Sequence, residues 1–333
     1  MFQKEFENFA KRVQNRIKSA KKISIIYDSD SDGCCSAALL SIFLSEFLKK
    51  NPSRLISCFH DVDAKLKRIE EDLIFILDTQ PKEIDSPKLV IIDHHLVQKI
   101  PKKSIMFNPT LIDENSYIAT SCLIYKILSN LSDMIESCWI AAIGIKADKS
   151  EDSCKDLLEL TYEIFPEFKQ VENRLIRLTS VSKNLNDSRI VVDSLIECYN
   201  IGNPSFFGKT ETSSKLMDVY RKVKKEYEML LDKTRKLMNT KIFSLYVIDS
   251  RFNVQGMLAN RLFNKEPKKT IIVCNLNDDM IRGEVRSNDE RMFEIFMKSF
   301  NETIEEMGGH KKAFGFSLKK EKFKDFLGIL SKF

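Results

Sequence analysis

The chain has no C-x-x-C pair among its eight cysteines, no internal repeat and no low-complexity tract, and it holds only four histidines in 333 residues. Nor does it contain a continuous window of about 20 apolar residues, the length a membrane-spanning helix requires. Each absence removes a class of protein. A disulfide framework belongs to short secreted chains, and this chain is neither short nor rich in such spacing. The cysteines lie mostly inside apolar runs, where a free thiol behaves as a small hydrophobe, and are expected to be reduced thiols of a cytoplasmic protein. The N-terminal MFQKEFENFAKRVQNRIKSAKK is a charged amphipathic helix pattern with no apolar stretch of signal-peptide length. No membrane span is expected. The balance of 43% hydrophobic and 30% charged residues instead fits a globular protein with a core, and the length favours two domains. A net charge of +5 permits an anionic partner without requiring one.

Three short, unbroken, β-branched runs stand in the first third: ISIIY (23–27), LIFIL (73–77) and LVII (89–92). Runs of this kind are expected as strands buried on both faces, the mark of a parallel sheet in an α/β domain. Helical patterns lie between and after them, at 34–50, around Asp63 to Glu71, at Ile118 to Leu128 and at Ile135 to Ala147, with Asn115 or Ser116 as a candidate cap for the third. The stretch from Ser213 to Leu237 has no Gly or Pro and reads as one long charged helix connecting two domains, with Leu216, Val219, Tyr220, Val223, Tyr227 and Leu230 on its apolar face. Strands are expected at 241–249, 270–277 and 280–287, and helices near 290–307 and 320–332.

The three buried strand patterns share one property. The first runs into Asp28-Ser29-Asp30-Ser31-Asp32-Gly33, the second into Asp78 and the third into Asp93-His94-His95. Ligands of open parallel sheets bind outside the carboxyl ends of the strands, so these residues converge on one sheet edge. Gathered carboxylates repel one another unless a cation sits among them, and carboxylate mixed with imidazole suits Mn²⁺, Mg²⁺ or Zn²⁺. There are more ligands than one ion needs, which suggests two ions and in-line phosphoryl displacement. Taken singly, each aspartate has a plainer explanation as a turn or helix-cap residue. The run D-x-D-x-D-G also opens a calcium loop, but leucines 39 and 40 occupy the region where the closing Glu should fall, and a buried strand precedes the run. Asp148 ends a helical pattern where an acid opposes the helix dipole, whereas Asp113 and Glu114 precede a helix and read as capping or first-turn charges.

Taken together, YDSDSDG (27–33), ILDTQP (76–81), IIDHHL (91–96), Asn108-Pro109 and GIKAD (144–148), followed by FNVQGMLANRL (252–262), GEVRS (283–287) and GGHKKAFGF (308–316), resemble the DHH phosphoesterase superfamily. The resemblance covers nearly the whole chain. It implies a DHH catalytic domain over 1–200, a connecting helix over 201–240 and a smaller α/β DHH-associated domain over 241–333. It implies that Asp30 and Asp32 each ligate one metal, that Asp78 bridges both, and that His94 and Asp148 complete the second site. His95 would contact the scissile phosphate, with Asp93 and Asp28 as further catalytic positions. Arg286, Ser287, Gly308, Gly309, His310 and Lys311 would hold substrate phosphate. Two divalent cations are implied, Mn²⁺ by family expectation, with Mg²⁺ as the alternative.

The D-x-D-x-D-G form resembles the RecJ-like branch, and the layout resembles the compact archaeal RecJ-like exonucleases, since the chain is too short for RecJ's additional oligonucleotide-binding barrel. The resemblance therefore implies a metal-dependent exonuclease on single-stranded DNA or RNA, associated with replication or repair proteins. Two alternatives stay open at this point. One is a phosphodiesterase acting on short oligonucleotides or cyclic dinucleotides. The other is a non-catalytic RecJ-related scaffold, against which every expected ligand position is filled.

Overall fold

A computed structural model of the chain describes residues 2–58, 61–97 and 99–333. The chain divides into two compact units after Tyr220. In unit 1 the order is α1 (Gln3–Ser19), β1 (Ile23–Asp28), α2 (Ser31–Leu48), β2 (Arg54–Cys58), α3 (Val62–Leu66), β3 (Leu73–Leu77), β4 (Leu89–Ile92) and β5 (Ile105–Phe107). There follow α4 (Thr120–Ser129), α5 (Cys138–Ala147), α6 (Lys155–Ile164), α7 (Phe168–Thr179), α8 (Arg189–Ile201) and α9 (Glu211–Lys233), the last of which runs across the division. The five strands form one parallel sheet in the order β2-β1-β3-β4-β5.

Alternation along these strands buries both faces. Ile25, Tyr27, Phe75, Leu77, Val90 and Ile92 join the main core with α1, α2, α4 and α5. Ile26, Ile74, Ile76 and Ile91 point the other way, onto Val62 and Leu66 of α3. This two-sided burial is why the strands are uninterrupted apolar runs. The helix α2 is long and apolar enough to cross a membrane by length and composition, contrary to expectation, but most of it is buried in this core.

Unit 2 contains β6 (Arg235–Asn239), β7 (Phe243–Ile248), α10 (Gln255–Lys265), β8 (Thr270–Asn275), β9 (Met280–Arg286), α11 (Met292–Ser299), β10 (Glu306–His310), β11 (Ala313–Lys319) and α12 (Phe323–Leu330). Its mixed sheet has the order β10-β11-β9-β8-β7-β6, and only β7 and β8 pair in parallel. The core beneath is built largely of phenylalanine: Phe243, Phe296, Phe300, Phe314, Phe316 and Phe326.

Several expected boundaries are corrected. The long helix ends at Lys233, and Arg235–Asn239 pairs with β7 as an edge strand. The pattern at 290–307 is helical only over Met292–Ser299; Glu306–His310 then enters a hairpin with Ala313–Lys319. The helix expected around Asp63 to Glu71 is one short turn, Val62–Leu66. The strands β2 and β5 had no apolar pattern strong enough to mark them; each is short and pairs on only one side.

Candidate metal centre

Register places the acidic residues. Tyr27 of β1 is level with Leu77 of β3, and Leu77 with Ile92 of β4, so Asp28, Asp78 and Asp93 leave the sheet side by side. Asp78 does so with φ at 61°, in the left-handed region that Asp tolerates better than most side chains. Its N–H still donates to Ile92 O at 3.0 Å. Beyond β1 the chain turns at once into α2. Asp30 caps that helix by accepting from Gly33 N–H at 3.0 Å, and its other oxygen lies 3.5 Å from Lys183 Nζ. A Cβ at Gly33 would lie 2.1 Å from the carbonyl oxygen of Asp28, so only glycine permits this tight passage.

The two histidines are held differently. His94 is buried, with Nδ1 3.1 Å from Ile118 O and Nε2 3.6 Å from Asp78 Oδ1. Donation of the Nδ1 proton to that carbonyl leaves Nε2 unprotonated and able to ligate. His95 meets Asp93 Oδ1 through Nδ1 at 2.8 Å, and Gln80 Nε2 donates to the second Asp93 oxygen at 3.2 Å. Asn108 Nδ2 donates to His95 O at 2.8 Å, which ties the Asn108-Pro109 turn to the same backbone. Asp93 itself is fully buried, so it acts on His95 and not on anything in solvent.

From the helical side come Asp32 and Asp148. Asp32, on the first turn of α2, accepts Thr120 N–H at 2.6 Å and Ser121 N–H at 3.0 Å. It thereby caps α4, where Asn115 and Ser116 were the expected caps; the residue at the cap position, Ala119, has no capping side chain. Asp113 forms a turn by accepting from Asn115 N–H. Asp148, at the end of α5, accepts from the Tyr117 hydroxyl and lies 3.4 Å from His94 Nδ1.

Three sets of ligand atoms lie within 4.8 Å of one another in unit 1: Asp28, Asp30 and Asp78; Asp78, Asp93 and His95; and Asp32, His94 and Asp148. Their electrostatics are those of a cation site. Burial and the neighbouring Asp30 push Asp28 up to about 7. Burial and the surrounding carboxylates hold Asp32 and Asp78 well above the usual carboxylate range. Burial also opposes ionisation of Asp30, but Lys183 and the Gly33 N–H bring it down to about 2. Burial lowers His94 to about 4, which keeps it neutral and able to ligate. For His95 burial is outweighed by Asp93, which raises it to about 9 and makes it an imidazolium at neutral pH. Buried carboxylates that repel one another, beside a neutral imidazole with an unprotonated nitrogen, form a donor set that fits divalent cations.

In unit 2 the expected phosphate-binding residues are distributed along one sheet. Arg286, at the end of β9, donates to Asn260 Oδ1 at 2.7 Å, Glu284 Oε2 at 2.9 Å and the Val285 carbonyl. Gly308, Gly309 and His310 lie on β10, Gly309 with φ at 126°. Lys311 is exposed in the hairpin turn that follows, and the adjacent Lys312 pairs with Glu290. Ser287 departs from expectation. It is 3% exposed, and its hydroxyl meets Thr270 Oγ1 at 2.8 Å and accepts from Asp289 N–H. It supports the strand end and presents nothing to a ligand.

Gln80, Tyr117, Thr120 and Lys183 also touch the centre, and no sequence pattern marks them. Their partners are distant in the chain, and none stands in an apolar or acidic pattern that would single it out.

Residues 22–162 match the family model of the DHH family, N-terminal domain, and residues 239–333 match that of the DHHA1 domain. Among solved structures the chain is similar to exonuclease RecJ bound to manganese, with 16% identity over 97% of this chain and 92% of that one and a TM-score of 0.71. It is similar to RecJ from Thermus thermophilus in complex with Mn²⁺, with 16% identity, 99% of this chain, 54% of that one and a TM-score of 0.75. The pGpG-specific phosphodiesterase PggH from Vibrio cholerae matches at 12% identity over 93% and 97% of the two chains, with a TM-score of 0.54. The chain thus spans about half the length of the Thermus RecJ. At such identities the likeness is one of fold. No curated protein sequence matches the chain.

Proposed function

The chain belongs to the DHH family, with a DHHA1 domain behind its DHH domain, and from that premise we propose that it is a metal-dependent phosphodiesterase that degrades single-stranded DNA or RNA from an end. One observation carries this reading. Five carboxylates, Asp28, Asp30, Asp32, Asp78 and Asp148, converge with a neutral His94 and a cationic His95 at the carboxyl edge of one parallel sheet. Burial and mutual repulsion oppose ionisation of Asp28, Asp32 and Asp78 together, which a bound cation would relieve.

In this reading Asp28, Asp30 and Asp78 would hold one cation and Asp32, His94 and Asp148 a second, with Asp78, 3.6 Å from His94, placed to serve both. Two divalent cations, Mn²⁺ or Mg²⁺, would supply Lewis-acid polarisation of the phosphate and activation of water near neutral pH. The chain's own groups do the rest. Asp93 holds the Nδ1 proton of His95, so the ring is fixed in orientation and its Nε2–H can donate to a non-bridging phosphate oxygen. Lys183, beside Asp30, adds positive charge on the same edge. No Ser or Cys nucleophile is called for; Cys34 and Cys35 are buried and burial raises both thiols. In unit 2, Arg286, the Gly308-Gly309 backbone, His310 and Lys311 would bind further phosphates, which favours a strand over a free phosphate monoester.

The test is degradation of end-labelled single strands of several lengths, DNA and RNA, with Mn²⁺. Stepwise shortening that is lost in Asp78→Ala is the expected result. Cleavage confined to di- and trinucleotides would replace the exonuclease reading with a short-substrate one. No cleavage at any length by a folded, manganese-loaded protein would leave a scaffold.

A further inference from the structure

Five consecutive residues, Tyr117 to Ser121, all bond to the metal centre or to the loop beside it. The Tyr117 hydroxyl reaches Asp148 O at 2.6 Å and Asp148 Oδ2 at 3.0 Å, and its ring stacks on His94 with centroids 5.5 Å apart. The Ile118 carbonyl accepts from His94 Nδ1. Ala119 N–H donates to Ser150 Oγ at 3.2 Å, just past Asp148. Thr120 N–H and Ser121 N–H take one oxygen each of Asp32, and Thr120 Oγ1 donates to Asp78 Oδ1 at 2.9 Å. We infer that this segment is a strap that positions four of the candidate ligands at once, with Thr120 acting on the carboxylate shared by both cations and Tyr117 acting on the ligands of one cation only. The inference rests on the metal-centre reading above.

An ordinary helix start would explain less. A Thr or Ser at the beginning of a helix usually caps its own backbone. Here the hydroxyl of Thr120 turns away from its helix to a carboxylate 42 residues upstream, and the two N–H groups that need a cap are served from 88 and 89 residues upstream. Both residues are fully buried, so these bonds are dry and their geometry is fixed. A third element makes room. A Cβ at Gly144 of α5 would lie 2.3 Å from Ser121 Oγ and 2.4 Å from Asp32 Oδ1, so glycine there lets α5 close on the strap. The division of labour follows from the partners. Asp78 belongs to the same ligand set as Asp28 and Asp30 and also lies 3.6 Å from His94, whereas Asp148, which the Tyr117 hydroxyl holds, stands in one set alone, with Asp32 and His94. Partners that orient ligands typically contribute about 10- to 100-fold to metal affinity.

The experiment is a calorimetric Mn²⁺ titration of the full chain, repeated on Thr120→Val, Thr120→Ser and Tyr117→Phe, with chelator-treated thermal melts as the fold control. The wild type takes up two ions. Thr120→Val weakens both by about 10- to 100-fold, Thr120→Ser restores them, and Tyr117→Phe weakens one ion and leaves the other unchanged. Wild-type affinity for both ions in Thr120→Val and Tyr117→Phe would reduce the strap to packing and leave the metal centre standing. Equal weakening of both ions in Tyr117→Phe would overturn the division of labour. A folded wild type that binds no manganese would remove the metal centre, and the strap with it. If Thr120→Val does not fold, the serine and phenylalanine variants carry the test: weakened binding in Thr120→Ser, or no change in Tyr117→Phe, would overturn it.

Discussion

The two units treat charge in opposite ways. Unit 1 buries carboxylates together at the sheet edge and holds three of them above their ordinary range, so the folded edge is poised for added positive charge. In unit 2 the candidate phosphate-binding Arg286 is paired with Glu284 and Asn260, and Lys312, next to the candidate Lys311, pairs with Glu290. The first edge is poised for a cation, whereas a phosphate reaching Arg286 would have to displace the carboxylate it already holds. Metal dependence should therefore belong to unit 1, and salt dependence to unit 2.

The largest test of that contrast is Asp78→Asn. It removes the carboxylate that stands with Asp28 and Asp30 and lies 3.6 Å from His94 of the other set, and activity should fall by well over the ~100-fold that an orienting partner contributes. Residual activity within tenfold would show that Asp78 is not shared. Next is Phe296→Ala, at the centre of the aromatic core of unit 2, where the ring lies 4.8 Å from Phe300 and 5.1 Å from Phe314. It should cost about 3–5 kcal/mol in denaturant unfolding of unit 2, equally with and without Mn²⁺. A cost that changes with metal would blur the division between the units.

A smaller effect concerns pH. Asp28, lifted from 3.8 to about 7, and Asp32 and Asp78, lifted in the same direction, hold protons in the folded metal-free state that the unfolded chain releases. The contribution of Asp28 is complete below about pH 4 and is lost as the pH rises through 7, and those of Asp32 and Asp78 change in the same direction. His95, raised to about 9, adds to the loss above 6.5, while His94, lowered to about 4, opposes it between 4 and 6.5. The chelator-treated protein should therefore melt several degrees lower at pH 8 than at pH 5. Saturating Mn²⁺ should remove the difference, because cations and protons compete for the same oxygens. A metal-free protein equally stable at both values would contradict the crowding of charge. The smallest effect is expected of Glu284→Gln. Freeing Arg286 from a half-buried ion pair should tighten single-strand binding by about two- to fivefold, the worth of such a pair, with a steeper salt dependence. Weaker binding would mean that Glu284 holds Arg286 in its working position.

What was legible in the sequence follows the same division. The strands β1, β3 and β4 are continuous apolar runs because both faces are buried, so the aspartates that end them could be aligned without coordinates. The second sheet resisted because its pairings are long-range. Arg235–Asn239 reads RKLMN, two basic residues followed by two apolar ones, which continues a helical pattern, and it becomes a strand only because β7 lies beside it. The Gly308-Gly309 hairpin strand has little apolar content, so its motif was visible while its conformation was not. Within the centre, acidic and imidazole ligand types announced themselves. Thr120 and Tyr117 did not, since a threonine at a helix start and a tyrosine before it are ordinary until their partners 42 and 31 residues away are known. Asp30 shows that a capping reading need not exclude another role, because one oxygen caps α2 while the other faces Lys183 at the sheet edge.

The most direct measurement is a crystal of the protein soaked in Mn²⁺, with anomalous difference maps recorded above and below the manganese edge. The account predicts two peaks in unit 1, one among Asp28, Asp30 and Asp78 and one among Asp32, His94 and Asp148, each about 2.0–2.2 Å from an oxygen of Asp78. A map with no peak among these residues, or with manganese bound only elsewhere, would contradict it.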